Sequence, residues 1–202
     1  MAESGRTRSS CGVFDIVSDR RRLVAGGTGL LAGLAWWPQD AEAAKKPDSL
    51  GPQAGDRIQA TRGALKGELL RPEHLELNGA PIEGFPFAVA EEVLRKRNRF
   101  NRVLVMRLDP AEMDEETAAR TGDGVLVYSA ICTHKGCTIK SWMEEERHLR
   151  CHCHLSQFAA LSGGSIEGGP ARAPLPALPV TIDAEGFIAV AEDFNRKPGF
   201  KS

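Results

Sequence analysis

Four of the five cysteines and three of the five histidines of this 202-residue chain crowd into two short boxes. The first reads Cys132-Thr133-His134-Lys135-Gly136-Cys137, and the second Cys151-His152-Cys153-His154-Leu155-Ser156. Each offers one Cys–His pair, Cys132 with His134 and Cys151 with His154, plus a spare cysteine, Cys137 or Cys153. Thiolate and imidazole suit iron or zinc, and not calcium or magnesium. The usual zinc set, a Cys-x2–4-Cys pair together with a separate His-x3–5-His pair, is supplied by neither box. A purely structural disulfide cluster would leave His134 and His154 without a role. The arrangement suggests a paired design, in which two loops close round a metal centre and the spare thiols tie them together. Such loops need a rigid scaffold that presents them at the surface.

The scaffold reads as short strands. Residues 102–107 and 124–131 are apolar runs of strand length, and the second delivers the first box. Residues 138–142 and 148–150 flank an acidic turn at Glu144-Glu145-Glu146. Residues 179–182 and 187–191 read as a hairpin through Asp183-Ala184-Glu185-Gly186. Asn78-Gly79 marks a turn, and two prolines predict an edge strand over 81–89. Residues 111–120, acidic and preceded by Pro110, read as an exposed helical insertion. Closely spaced short strands with little helix predict an antiparallel all-β domain over 57–195, its metal-binding part at about 130–176. His74, His148 and His152 lie outside the ligand pattern and are expected at the surface. Arg95-Lys96-Arg97 with Arg99 is the one basic cluster after the N-terminal segment, expected as a solvated face.

The paired boxes resemble those of the Rieske iron–sulfur proteins, and the resemblance implies a fold of stacked antiparallel sheets with a small cluster-binding subdomain at one tip. It implies a [2Fe–2S] cluster with Cys132 and Cys151 on one iron and His134 and His154 on the other. Imidazole in place of thiolate raises the reduction potential of such a cluster. Cys137 and Cys153 correspond to the disulfide pair of the high-potential branch. Ser156 corresponds to a serine whose hydroxyl donates to the cluster. Gly168-Gly169-Pro170 and the prolines Pro174 and Pro176 resemble the stiff loop that covers it. Where the family commonly has Pro, Gly and Tyr, this chain has His152, Leu155 and Phe158. The missing tyrosine hydroxyl removes one hydrogen bond to sulfur, which implies a potential below that of the quinol-oxidising members. Fewer than fifty residues follow His154, too few for the second iron domain of the ring-hydroxylating oxygenases.

The expected role is a one-electron carrier with no substrate site of its own. The resemblance implies a larger redox subunit as partner, as in the small subunit of arsenite oxidase. The alternative is a quinol-oxidising cytochrome bc complex, with a cytochrome and quinol as partners. Net charge is −1, which gives no electrostatic case for nucleic acid. Ser18-Asp19-Arg20-Arg21-Arg22-Leu23-Val24, the apolar run from Leu23 to Trp37 and Ala41-Glu42-Ala43 resemble a twin-arginine export signal over 1–44. The expected location is the periplasm, with membrane attachment only through an uncleaved signal. That compartment suits a persistent disulfide. Residues 45–56 read as a polar Pro/Gly linker and 196–202 as a polar tail.

Overall fold

The computed structural model describes residues 46–200; the export-signal reading falls outside them. The larger of two sheets contains β1 (Arg57–Ala60), β2 (Ile82–Ala88), β3 (Val93–Leu94), β4 (Val103–Arg107), β5 (Val125–Ser129), β10 (Val180–Ile182) and β11 (Ile188–Val190). Its order is β10-β11-β1-β2-β4-β5, with β3 added to β2, and every pairing is antiparallel. The sheet curls until its ends meet: Ser129 N–H donates to Pro176 O and Leu178 N–H to Val127 O, each at 2.8 Å. The second sheet is a meander of β6 (Ser141–Met143), β7 (His148–Arg150), β8 (Gln157–Ala159) and β9 (Ser165–Gly168). The antiparallel all-β expectation holds.

Strands β4 and β5 are apolar on both faces because each face meets a different core. Successive side chains on a strand point to opposite sides. Val103, Val105, Val125 and Val127 join Ile58 and Ile188 inside the curled sheet. Leu104, Met106, Leu126 and Tyr128 point the other way and pack with Leu149, Phe158, Cys132 and Cys151. One pair of strands is therefore the wall between the main core and the core under the two boxes. Tyr128, fully buried, pins the layers together by donating its hydroxyl to Ala160 O at 2.7 Å. Burial pushes its ionisation well above the ordinary tyrosine range.

Four local expectations change. Strand β2 is central and not an edge. Pro86 lies past the last pair with β4, Gly84↔Val103, and just before the first with β3, Phe87↔Leu94; Arg95 N–H still donates to Pro86 O, and the Arg95 carbonyl, which proline cannot serve, accepts from the Asn101 side chain instead. The acidic 111–120 segment forms a single helical turn, α1 (Glu115–Ala118), capped by Asp114 accepting from Thr117 N–H at 2.7 Å. Residues 46–56 do not hang free. Pro47 O accepts from Arg95, Leu50 O accepts from Asn101, and Asp56 receives two hydrogen bonds from Arg95 at 2.6 and 3.0 Å. Arg95 is 4% exposed and so departs from the solvated basic face.

A buried ion pair is costly to break from one side, because the remaining charge is left without a partner. Asp56→Asn is expected to destabilise the domain by about 3–5 kcal/mol. Urea denaturation of the two proteins, with an unchanged slope and a lowered midpoint, checks this.

Candidate metal centre

Both boxes are loops that leave one strand and return to another. The first lies between β5 and β6, and the second between β7 and β8. Their backbones close in the same way. Cys132 N–H donates to Cys137 O, and Gly136 N–H donates back to Cys132 O. Cys151 N–H donates to Ser156 O, and Leu155 N–H donates back to Cys151 O. The four distances lie between 2.8 and 2.9 Å. Each loop needs a left-handed residue at its fifth position: Gly136 has φ 73° and Leu155 has φ 60°. Glycine adopts that conformation without strain, whereas leucine does not.

The two loops lie face to face. Cys137 and Cys153 form a disulfide with Cα atoms 6.6 Å apart, and the Cys151 sulfur lies within 4.8 Å of both its sulfurs. Cys132 and Cys151 are free thiols, each buried, and close enough to interact. The His134 and His154 rings meet edge to face, centroids 4.6 Å apart. The structure therefore places sulfur beside sulfur and imidazole beside imidazole. His134 is half-buried and His154 exposed.

The donor set fits a metal group. Burial pushes the Cys132 thiol up, and the neighbouring Cys151 adds to the shift, while His134 N–H and the Ser156 hydroxyl oppose it. A buried thiol held up in this way is a poor thiolate until a cation takes the place of its proton. His134 Nδ1 is buried without a hydrogen-bond partner among the described residues. Such an orphan is costly unless something binds it. Desolvation, then the neighbouring His154, Lys135 and Arg172, hold this imidazole below its ordinary range, in the neutral form that ligates metal.

The segment after β9 covers both loops. Thr133 donates its hydroxyl to Ala173 O at 2.6 Å, and Ala171 N–H donates to Ser156 Oγ at 3.2 Å. Gly169, at φ 80°, lies so close to the second loop that an added Cβ would stand 2.5 Å from Ser156 Cα. Phe158, in β8, is fully buried in the core that holds both free thiols. Of the three remaining histidines, only His152 is exposed. His74 is half-buried, its ring accepting from Arg71 N–H, and half-buried His148 has an Nδ1 with no partner among the described residues. Sequence reasoning missed Arg99, whose guanidinium donates to Gly136 O behind the first loop. Its only sequence signal was membership of the basic cluster.

Residues 93–179 match the family model described as "Rieske [2Fe-2S] domain". The chain carries a Rieske domain, and that domain binds a [2Fe–2S] cluster. It is 28% identical over 160 residues to the cytochrome bc1 complex Rieske iron–sulfur subunit of Streptomyces lividans, covering 74% of this chain and 94% of that one. With the corresponding Streptomyces coelicolor subunit the identity is again 28%, over 74% of this chain but 45% of the relative. A putative respiratory nitrate reductase Rieske subunit of Haloferax mediterranei is 35% identical over 97 residues, 48% of this chain and 43% of that one. Among solved structures, the plasma-membrane Rieske protein of Synechocystis aligns over 55% of this chain and 85% of its own, at 21% identity and a TM-score of 0.35.

Leucine in the left-handed region costs roughly 1–2 kcal/mol. Leu155→Gly is therefore expected to raise stability by about 1 kcal/mol, part of the relief being lost to the greater freedom of the unfolded chain. A higher denaturation midpoint checks it.

Proposed function

We propose that Cys132 and Cys151 ligate one iron of the cluster and His134 and His154 the other, in a one-electron carrier belonging to a larger periplasmic oxidoreductase. The pairing of like with like, from two loops of matching backbone closure, carries the ligand assignment. When bound, the cluster supplies single-electron exchange at a potential raised by its imidazole ligands. The chain does the rest. Buried Cys132 and Cys151 keep water from the sulfur side. Ser156 offers its hydroxyl to Cys132 sulfur, which favours negative charge there. The disulfide and the Gly169–Pro176 cover hold the loops in place. His154, exposed at the tip, offers the short route to a partner's cofactor.

Export by the twin-arginine route fits the Arg20-Arg21-Arg22 segment and the disulfide. The arsenite-oxidase-like reading, with a molybdenum-containing larger subunit, draws on Phe158 where quinol-oxidising members carry tyrosine. A second reading, the Rieske subunit of a cytochrome bc complex, is favoured by the match across 94% of the Streptomyces lividans subunit. Purification of the tagged chain from its native cells decides between them. Molybdenum in the co-purifying subunit supports the first, and b- and c-type cytochromes support the second.

Substituting Cys132, Cys151, His134 or His154 is expected to abolish the reduced-state EPR signal whose mean g lies below the free-electron value. Bound iron should fall from two atoms per chain towards none. Phe158→Tyr adds a hydroxyl beside the ligand sulfurs and is expected to raise the midpoint potential measured by voltammetry. Ser156→Ala is expected to lower it.

A further inference from the structure

A groove of about 990 Å³ opens beside His134. Three stretches distant in sequence build it: Thr133 to Lys135 of the first loop, Pro170 to Pro176 of the cover, and the tail from Asn195 to Gly199. Lys135, Arg172, Arg196 and Lys197 line it, and no carboxylate does. All four cations are exposed, and none is ion-paired among the described residues. Elsewhere on the domain Arg57, Arg62, Arg95, Arg97, Arg102, Arg107 and Arg120 each sit against a carboxylate. The groove thus keeps its charge uncompensated where most of the domain's other arginines do not.

The tail that supplies two of these charges is held in place. Asn195 N–H donates to Ala177 O, and Asn195 Oδ1 accepts from Ala177 N–H, both at 2.9 Å. Gly199 packs on the Phe100 ring, and the Phe200 ring lies against Gly136, where an added Cβ would meet it at 2.8 Å. Glu192 and Asp193 precede this wall and do not line the groove. At the same tip Leu155 is 50% exposed beside His154, holding a strained φ that glycine would relieve.

We propose that this groove, with Leu155 as its apolar neighbour, is the docking surface for a redox protein that carries carboxylates around its cofactor edge. The proposal rests on the cluster reading above and names the chemistry of the partner. Electron exchange requires the partner's cofactor to come close to the exposed His154 and the half-buried His134 beside it, and a body approaching His134 must lie along the four cations. Opposite charge at such a rim steers encounter and fixes orientation. The whole-chain charge of −1 works the other way, so the preference for an acidic face is local.

Two small oxidants of opposite charge test it on the reduced holoprotein. Ferricyanide, a trianion, and tris(phenanthroline)cobalt(III), a trication, each take one electron from the cluster, giving ferrocyanide and the cobalt(II) complex. The ferricyanide rate is expected to fall roughly tenfold or more between about 0.01 and 0.5 M ionic strength, while the cobalt rate rises. The triple change Arg172→Glu, Arg196→Glu and Lys197→Glu should reverse both trends with the EPR signal unaltered. Lys197→Glu alone should flatten the ferricyanide slope, and Lys66→Glu, outside the groove, should leave it alone. Hexacyanocobaltate(III), a redox-inert trianion, gives a readout free of electron transfer. By calorimetry at low salt it should bind the oxidised holoprotein and fail to bind the triple variant. A wild-type preference for the cationic oxidant overturns the proposal, as does a triple variant that keeps its anion preference. A preparation lacking the EPR signal sinks the cluster assignment instead, so the two failures are told apart.

Discussion

Two loops of matching backbone closure have to be held face to face, and the rest of the tip depends on it. Each loop spends its own hydrogen bonds on turning the chain, so its side chains are free to point at the other loop. The Cys137–Cys153 bridge then ties the loops across a sequence separation of 16. A closed loop of that size is worth about 3 kcal/mol in lost unfolded-state entropy. What this constraint assembles is unfavourable on its own terms. Two buried thiols face each other and a buried ring nitrogen lacks a partner among the described residues. Buried polar groups left this way cost about 1–3 kcal/mol each. Under the proposed ligand assignment, a bound cluster would remove these costs and link folding to cluster retention.

The scaffold carries that load because the two cores share a wall. Strands β4 and β5 send alternate residues into the curled sheet and into the core beneath the boxes. A displacement of the small sheet has to disturb Leu104, Met106 and Tyr128, whose strands are fixed by Val103, Val105 and Val127 on the opposite face. Close-packed interiors transmit such strain and do not absorb it. The Tyr128 hydroxyl adds a directional tie to the turn after β8. The loops are therefore surface features on a rigid support, which suits an electron carrier whose geometry should change little with oxidation state.

Segments outside the two sheets complete the tip. The N-terminal strap is locked by Asp56 and Arg95, the cover by Thr133 and Ser156, and the tail by Asn195 with Gly199 and Phe200. Arg99 donates to the carbonyl of Gly136 and so links the strap side of the fold to the first loop. The cover and the tail converge on the face beside His134. The positive groove is a consequence of that convergence and of no local run of basic residues.

The sequence by itself determined the proposed donor set, the strands that deliver it and the turns between them. These depend on residue type and on short-range periodicity, and both are written locally. Cys132, His134, Cys151 and His154, the continuous apolar runs of β4 and β5, and the hairpin through Asp183–Gly186 were all legible for that reason. Leu155 in the place of the family's glycine marked a departure, but its left-handed φ emerged only once the loop was closed. The tertiary structure alone decided that β2 is central, that Arg95 is buried, and that the tail forms a wall of the groove. Each depends on a partner far along the chain: Arg95 meets Asp56 from 39 residues away, and Asn195 meets Ala177 across the hairpin. Nothing in the charge or apolar pattern of a short window encodes such a partner, because pairing across the fold is set by which surfaces remain open after the strands have packed.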